Sequence, residues 1–479
     1  MLNIFTIKRI SGIAAILSLA LVSCKKNLLD TASESQLSSA DVYKSPKRIE
    51  GLLNGVYKTL KNEIGKLYLN KDVRGEDFIN QTNNAYNGFD GWANNYTTSS
   101  ADVEAVWDSA YGSINASNML ITGLQGVTGV ISDSVKNQYI AEARFLRAFN
   151  YFHLVTLYAR PYVDGNGTAK GLPLRLISDA SVAGKNLARS TVAEVYTQII
   201  SDLDFAEKNL PLAFSTAELN TTRAHRNTAI ALKTRVYLNM GQYANVVTEA
   251  VKIVPQSTAP FSATSGVANA LQSSIATVFT TNYTTTESVF SLPVTTADPP
   301  LNPLGGYYNV NADFSLNLAT AGIWNDAQLG PSDARRALSR TTAGGLVFLM
   351  KYARTSPYLD YIPVIRYSEV LLNYAEASAQ QGNLNLAASL LKAVHNRSDA
   401  GYAFPSDSTS SQSSLVNTIL KERRIELLGE GFRSNDLLRK LLPLPAKASS
   451  SFTARQVNPA EDAYIFPLPN GEIISNKLL

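Results

Sequence analysis

Apolar residues recur at intervals of three and four along the first half of the chain, and this spacing predicts long helices. Trp107, Tyr111 and Ile114 share one face of an early helix, so we expect Trp107 in the core. A second helix is predicted from about residue 134 to residue 159, where Pro161 disfavours helix in the residue before it. Its apolar face carries Phe145, Phe149 and Phe152.

Two later segments, residues 229–254 and 365–394, share one internal layout. In each, a helix ends at a Gly-x-(aromatic or Leu) turn, marked by Gly241 and Gly382, and a second apolar-faced helix follows. This is the helix-turn-helix pattern of tetratricopeptide repeats, in which glycine permits the turn. Another helix is predicted to start after Ser190 as its N-cap. We therefore predict a mainly α fold in which several helix pairs form a curved scaffold.

The composition changes between about residues 256 and 360, where Ser, Thr, Asn, Gly and Pro dominate. Two short extended pieces stand out there, at residues 288–292 and 346–352. A long irregular stretch between helical pairs is where a binding surface would be carried, and a mobile connector is the alternative. Beyond it, one more helix is predicted from about residue 413 to residue 428.

The charge balance and the scarcity of reactive residues exclude several functions. The 479 residues include 43 Lys and Arg against 39 Asp and Glu, and no basic tract interleaves with aromatics, so nucleic-acid binding is not expected. No metal-ligand spacing, paired catalytic motif or cofactor motif stands out, so we expect neither an enzyme nor a cofactor. His153 falls within the aromatic helix and is predicted to be a packed core residue.

Cys24, the only cysteine, ends a leader with a basic start and an apolar run of roughly 13 residues. That run is too short to span a membrane comfortably. The segment resembles a bacterial lipobox, which implies cleavage after residues 1–23, lipid on Cys24 and a tether over residues 24–35. An uncleaved signal anchor is the alternative. A lone cysteine excludes an internal disulfide framework, so the exported fold depends on its core.

Several sequence blocks, in order along the chain, resemble the SusD/RagB outer-membrane lipoproteins of Bacteroidetes. They are AEARFLRA (141–148), IRYSEVLLNYAEA (365–377), ERRIEL (422–427), EGFR (430–433) and FPLP (466–469). The resemblance implies a mainly α protein with about four tetratricopeptide-like helix pairs and an irregular, loop-rich ligand-binding part. On this basis we divide the chain into an N-terminal helical region at 36–255, a loop-rich variable region at 256–360 and a C-terminal region at 361–479.

The resemblance also implies a role. Such a protein would be anchored by lipid in the outer membrane, facing the cell exterior, and would capture oligosaccharides as the lid of a SusC-like TonB-dependent barrel transporter. Peptide cargo, as in the RagB branch, would keep the same lid with a different ligand. A structural repeat protein that recruits partners is the third possibility.

Six charged residues in or beside these blocks lie on helices with apolar faces, so we expect them to pair across helices rather than to bind a ligand. Partly buried pairs of this kind fix helix register while adding little net stability. The six are Arg144, Arg147, Glu369, Glu376, Arg423 and Arg424.

Exposed aromatic residues beside amides and charged groups are the candidates for glycan recognition. Sugar rings stack on aromatic faces, while their hydroxyl groups need planar polar partners. Residues 74–96 and 283–326 supply this mixture. Trp92 and Trp324 lead, and their replacement by alanine is expected to weaken binding unless they only plug loops against the helices. The predicted ligand-binding residues are Arg74, Asp77, Trp92, Asn94, Asn95, Tyr96, Tyr283, Tyr307, Tyr308 and Trp324.

Overall fold

The computed structural model describes residues 39–178, 186–280 and 284–479. The leader, Cys24, the tether and Tyr283 lie outside the described residues, so what the sequence predicts for them remains a prediction. The chain divides into two compact units, residues 1–49 and residues 50–479. Apart from residues 39–49, the features described below belong to the second unit.

Helices make up most of the regular structure, and the strands are short and pair in twos. The helices are α1 (Ser39–Val42), α2 (Pro46–Val73), α3 (Phe89–Trp92), α4 (Ala101–Gln125), α5 (Asp133–Tyr158), α6 (Val192–Asn209), α7 (Ala217–Thr222), α8 (Arg226–Asn239), α9 (Tyr243–Ala250), α10 (Ile275–Thr280), α11 (Tyr367–Gln380), α12 (Leu384–Ser398), α13 (Ser406–Thr409), α14 (Gln412–Glu426), α15 (Arg433–Leu438) and α16 (Asn470–Ser475). The strands are β1 (Phe78–Asn80), β2 (Ser288–Leu292), β3 (Phe314–Leu316), β4 (Ser339–Thr341), β5 (Val347–Leu349), β6 (Ile362–Arg366), β7 (Lys447–Ala448) and β8 (Thr453–Ala454). In the part of the chain that the structure describes, no helix has the length and apolar character needed to cross a membrane.

The helices predicted from apolar spacing are present within a few residues of their expected bounds. The side chain of Ser132 caps α5, which packs between α4 and α6 and buries its phenylalanine face. Trp107 is buried as predicted. The N-cap of α6 is Thr191 rather than the predicted Ser190. Thr191 places Glu194 at the third helical position, so that each side chain bonds the backbone N–H of the other residue.

The two predicted helix-turn-helix units are confirmed, and they pack against each other. Gly241 separates α8 from α9 and Gly382 separates α11 from α12, with φ angles of 69° and 82° that glycine adopts without steric cost. Leu238 and Val246 of the first helix pair form one buried apolar cluster with Ala377 of the second helix pair. The stacked pairs are therefore tetratricopeptide-like, as expected.

The predicted helical segment that starts at residue 365 begins instead with the end of a strand. Strand β6 pairs antiparallel with β2, whose predicted span of 288–292 is confirmed, and α11 starts only at Tyr367. The N–H of Tyr367 donates to the carbonyl oxygen of Glu287 at 2.8 Å and continues the pairing. A short apolar run fits a buried strand as well as a helix, which is why its spacing did not reveal β6.

The loop-rich region is built into the fold. It supplies strands β2 to β5, and β3 pairs antiparallel with β1, so that Phe78 lies opposite Leu316. Phe290, Phe314 and Tyr308 from this region are buried. A mobile connector therefore does not describe these strands, because their apolar side chains are part of the core.

The charged residues of the shared blocks pair across elements, as predicted, and their partners come from distant positions in the chain. The pairs are Arg144 with Asp202 at 3.9 Å, Arg147 with Asp202 at 2.7 Å, Glu369 with Arg235 at 2.6 Å, Glu376 with Arg439 at 2.6 Å, Arg423 with Asp436 at 3.2 Å and Arg424 with Asp77 at 2.5 Å. The charged residues of the shared blocks therefore join elements of the fold to one another.

A larger group of buried charges joins α14 to strand β6 and helix α12, and we call it the arginine–glutamate cluster. Its members are Arg335, Arg366, Arg397, Glu287, Glu422, Glu426 and Glu430. Glu426 lies 2.6 Å from Arg366, 2.6 Å from Arg397 and 3.2 Å from Arg335. Burial alone would raise the pKa of Glu422, but the surrounding cations, Arg335 first, lower it to about 2. The pKa values of Glu426 and Glu430 are lowered as well, so these three carboxylates stay ionised and help to hold three guanidinium groups in place.

Candidate ligand-binding surface

Trp92, a leading candidate from the sequence, lies in the core with 0% of its surface exposed. Its indole N–H donates to the carbonyl oxygen of Phe78 at 2.9 Å, and its ring stacks on that of Phe89 with centroids 6.2 Å apart. The expectation that Trp92 is exposed is wrong, because other side chains already cover its faces. A loss of binding after Trp92→Ala would therefore report a disturbed fold.

The candidate aromatic residues of the second segment that the structure describes are buried as well. Trp324 is 7% exposed, and the guanidinium carbon of Arg336 lies 5.2 Å from its ring centroid. Tyr308 is fully buried and donates to Asp72 Oδ2 at 3.2 Å, and Tyr307 is nearly as buried. These three rings contribute to packing and are not the exposed aromatic residues that the sequence suggested.

Arg74 and Asp77 are engaged within the fold. Arg74 Nη2 donates to the carbonyl oxygen of Tyr464 at 2.7 Å and to the hydroxyl of Tyr96 at 3.0 Å. Asp77 is buried and forms the ion pair with Arg424 described above. Their polar groups therefore position the loop after α2. Of the remaining predicted residues, Tyr96 is half-buried, Asn94 is buried and Asn95 is exposed.

The structure nevertheless brings the two predicted segments together. Strand β1 of the first pairs with β3 of the second. Just beyond them, the buried carboxylate of Asp313 accepts hydrogen bonds from the hydroxyl of Thr82 at 2.6 Å and the amide of Asn87 at 3.1 Å. The N–H of Gln81 donates to the carbonyl oxygen of Asp313 at 2.8 Å. Asp313 thus holds both ends of the loop between Gln81 and Asn87.

Tyr86 is an aromatic side chain that this loop leaves open to solvent, with 70% of its surface exposed. It lies in a short 3-10 helix, Ala85–Asn87, whose N-cap Asn84 accepts the N–H of Tyr86 at 3.0 Å. Asn83 has a φ of 56°, a conformation that asparagine tolerates better than most residues. Lys66 Nζ donates to the carbonyl oxygen of Tyr86 at 2.8 Å. The exposed ring therefore stands on a backbone that is hydrogen-bonded on both sides.

A partly buried ion pair supports the base of the same loop. Lys66 lies 2.8 Å from Asp102, whose second oxygen accepts the N–H of Gly88 at 2.8 Å. Gly88 has a φ of 82°, and a Cβ there would lie 3.0 Å from the side chain of Leu69. Burial raises the pKa of Asp102, and the neighbouring Lys66 opposes that rise. With Asp313 at one side and Asp102 at the other, the loop is held in place before any ligand arrives, which lowers the entropic cost of binding.

We call the solvent-facing part of this loop the Tyr86 face. Its exposed members, joined by the half-buried Asn87, are Thr82, Asn83, Asn84 and Tyr86. Together they offer one aromatic ring, three amides and two hydroxyl groups, with no charged side chain among the five. Among the described residues, no group of three His, Cys, Asp or Glu side chains is arranged to hold a metal ion. The face is therefore chemically suited to a neutral ligand that has apolar C–H patches and many hydroxyl groups.

The residues predicted from the sequence include neighbours of Tyr86 in the same segment but not Tyr86 itself. A tryptophan and a tyrosine carry the same sequence signal for stacking, and their burial depends on residues far away in the chain. The available signal was the run of asparagines around Tyr86, because asparagine favours turns and exposed loops over cores.

Family models match both ends of the chain. Residues 27–238 match a model described as starch-binding and associating with the outer membrane, and residues 350–479 match the SusD family. Most of the loop-rich region lies between the two matched parts.

Solved structures and curated relatives agree with these matches. A SusD superfamily protein from Bacteroides fragilis is 31% identical with a TM-score of 0.82, over 92% of this chain and 100% of that chain. SusD-like protein P2 of Formosa agariphila is 26% identical over 97% of each chain. A laminarin-binding SusD-like protein, 21% identical, shares the fold with a TM-score of 0.71 over 91% of this chain and 99% of that chain.

The stacked helix pairs and the inserted loop region define a tetratricopeptide-like binding scaffold. The matches at both ends and the relative with 31% identity extend this likeness to nearly the whole chain. The chain belongs to the SusD/RagB family of Bacteroidetes, a family of carbohydrate-binding proteins associated with the outer membrane.

Proposed function

We propose that this protein captures oligosaccharides at the Tyr86 face and acts as the lid of a SusC-like TonB-dependent transporter. The observation that carries the binding role is the exposed ring of Tyr86 in a loop held by Asp313, Lys66 and Asp102. Membership of a carbohydrate-binding family supports the choice of ligand.

The chemistry of the Tyr86 face favours a sugar over a charged ligand. The phenol ring provides an apolar surface for the C–H patches of a sugar ring. The amides of Asn83, Asn84 and Asn87 both donate and accept hydrogen bonds, which suits hydroxyl groups that do the same. A charged ligand would instead need a fixed countercharge within the face, and its five members supply none.

We propose binding without turnover at this surface. Glycoside hydrolysis uses a pair of carboxylates on opposite sides of the scissile bond. The Tyr86 face has no carboxylate among its members, and the nearby Asp313 and Asp102 are buried in contacts that hold the loop. Incubation with oligosaccharides should therefore return them unchanged when the products are separated by chromatography.

The binding proposal is tested by calorimetry with the protein lacking residues 1–24. The probes are maltoheptaose, laminarin oligosaccharides and a mixture of tryptic peptides. Tyr86→Ala should weaken binding of the preferred oligosaccharide at least about tenfold, because an exposed stacking partner is lost. Tyr86→Phe, the matched control, should retain most of the affinity because it keeps the ring.

Two results would contradict the proposal. One is an affinity for oligosaccharide that is the same in Tyr86→Ala and in the wild type, which would place the ligand elsewhere. The other is binding of the peptide mixture with no binding of either glycan, which would assign the surface to peptide cargo instead.

The lid role and the lipid anchor form a separate part of the proposal. We expect Cys24→Ala to shift the protein from the outer-membrane fraction to the soluble fraction of the cell, while the purified variant keeps its glycan affinity. Wild-type protein extracted in mild detergent should bring a large barrel transporter with it. Extraction without any barrel partner would argue for a free-standing binding protein or a structural repeat protein.

A further inference from the structure

A hairpin near the C-terminus carries a second partly exposed aromatic ring. Strands β7 and β8 pair so that Lys447 faces Ala454, and Phe452 closes the four-residue loop between the strands with 39% of its surface exposed. The N–H of Ser449 donates to the carbonyl oxygen of Phe452 at 2.8 Å, and the N–H of Phe452 donates to Ser449 Oγ at 3.1 Å. The ring is therefore presented by a closed loop with defined geometry.

Phe452 continues a stack of rings that begins in the core. Its ring meets that of Phe89 edge-to-face, with centroids 5.1 Å apart and an angle of 76°. Phe89 stacks in turn on the buried Trp92. Below Trp92, the ammonium of Lys447 lies 5.7 Å from the ring and donates to the carbonyl oxygens of Val73 and Gly75. The stack is thus anchored at its inner end and open to solvent at its outer end.

The Phe89–Phe452 pair adjoins the Tyr86 face. Phe89 follows Tyr86 by three residues, so their Cα atoms are at most about 11 Å apart. The N–H of Phe89 donates to the carbonyl oxygen of Asn84 at 3.3 Å, which draws the two positions together across the short helix. On the other side, Asn94 Nδ2 donates to the carbonyl oxygen of Arg455 at 3.0 Å and fastens the hairpin to the segment after α3.

Exposed polar residues neighbour this second aromatic site along the chain. A single exposed phenylalanine is ordinary on a protein surface, so exposure alone would carry no inference. Here the ring forms an edge-to-face pair with Phe89, which follows Tyr86 by three residues. The exposed polar residues near the two rings in the sequence are the neutral Asn95, Ser450, Ser451, Thr453 and Gln456 and the charged Arg455, which pairs with Glu461.

We propose that Phe89 and Phe452 form a second aromatic subsite, so that the protein binds an extended neutral oligosaccharide with one sugar on Tyr86 and a later sugar on this pair. The inference rests on the proposed function and adds the contribution of the C-terminal hairpin to it. Recognition of a chain by two stacking points makes affinity depend on ligand length. A short sugar occupies one point, whereas a longer one occupies both and gains from each.

The test is a length series, from disaccharide to heptasaccharide, of malto-oligosaccharides and laminari-oligosaccharides. In the wild type, affinity for one series should rise with length. Phe452→Ala should leave the affinity for the disaccharide unchanged and lower that for the heptasaccharide about tenfold. Tyr86→Ala should weaken binding at every length. Phe452→Tyr, which keeps an aromatic ring, should restore the length dependence.

A matched control is Leu212→Ala, which removes another apolar side chain that is 52% exposed and should change affinity at no length. Hydrogen exchange provides a second measurement that needs no variant: the heptasaccharide should protect residues 449–456, and the disaccharide should not. Affinity that rises with length equally in Phe452→Ala and the wild type, without protection of the hairpin, would overturn the subsite and leave the Tyr86 site standing. Failure of the wild type to bind any member of either series would overturn both.

Discussion

The arginine–glutamate cluster and the Tyr86 face use polar side chains in opposite ways. In the cluster, Glu426 alone contacts three guanidinium groups, and the charged atoms are buried and paired. In the Tyr86 face, the side chains are neutral, mostly exposed and supported from below by Asp313 and Asp102. Three of the five sequence blocks shared with the family supply residues to the first region, and the proposed ligand contacts lie in the second.

This difference explains why the family blocks say little about cargo. Buried ions must be paired with good geometry, since an unpaired one costs several kcal/mol, so such a network specifies which elements meet. An exposed neutral loop has no such requirement, and its residues can change without unfolding the protein. A common scaffold can therefore present different binding surfaces.

The largest expected effect comes from breaking the cluster. Glu426→Ala would leave the guanidinium groups of Arg366, Arg397 and Arg335 short of a buried partner, at a cost of about 3–5 kcal/mol in the free energy of unfolding. Urea denaturation measures this cost. The control is Asp133→Asn, which removes an exposed ion pair with Lys136 and should not change the unfolding midpoint measurably. Equal unfolding midpoints for Glu426→Ala and Asp133→Asn would show that the arginine–glutamate cluster does not stabilise the fold.

Lowering the pH should reduce the stability of the helical scaffold before it reduces glycan binding at the Tyr86 face. Burial lowers the pKa of His225 to about 4 and that of His153 well below 6.5, so the folded state binds fewer protons than the unfolded state once the pH falls below about 6.5. The stability that depends on these two histidines being neutral is present above about pH 6.5 and is lost as the pH falls towards 4. For His225 alone we expect a loss of about 2 kcal/mol at about pH 5.

Urea midpoints between about pH 7 and about pH 5 measure the acid effect. All three histidines are buried and none belongs to the Tyr86 face, so glycan affinity measured on folded protein should change little over this range. A fall in affinity that precedes the fall in stability would contradict this separation of the two regions.

A smaller effect on stability, with a larger one on binding, is expected where the face is fastened to the fold. Asp313→Ala removes the acceptor for Thr82 and Asn87 and should cost about 1–2 kcal/mol of unfolding free energy. Because the loop that carries Tyr86 is then less well held, glycan affinity should fall as well. Asp313→Asn, which keeps one oxygen acceptor, should recover part of it. Unchanged glycan affinity in Asp313→Ala would mean that the hydrogen bonds to Asp313 are not required for binding.

Much of the scaffold follows from local sequence signals. The apolar spacing around Trp107, the turns at Gly241 and Gly382, and the pairing of charged motif residues were all expected and are present. Errors arose where a local signal was ambiguous. Strand β6 has a short apolar run that also fits a helix. The N-cap of α6 is one residue later than predicted, because Thr191 and Glu194 form reciprocal hydrogen bonds.

The sequence by itself determined the helix pairs, their turns and the family of the chain, because spacing, capping and glycine turns act over a few neighbouring residues. Only the tertiary structure decided which aromatic rings face solvent. Trp92 is covered because Phe89 and Lys447 lie against its ring, whereas Tyr86 is open because Asp313, from a distant segment, holds the loop that carries it. Exposure depends on contacts between residues far apart in the chain, and no local pattern records them.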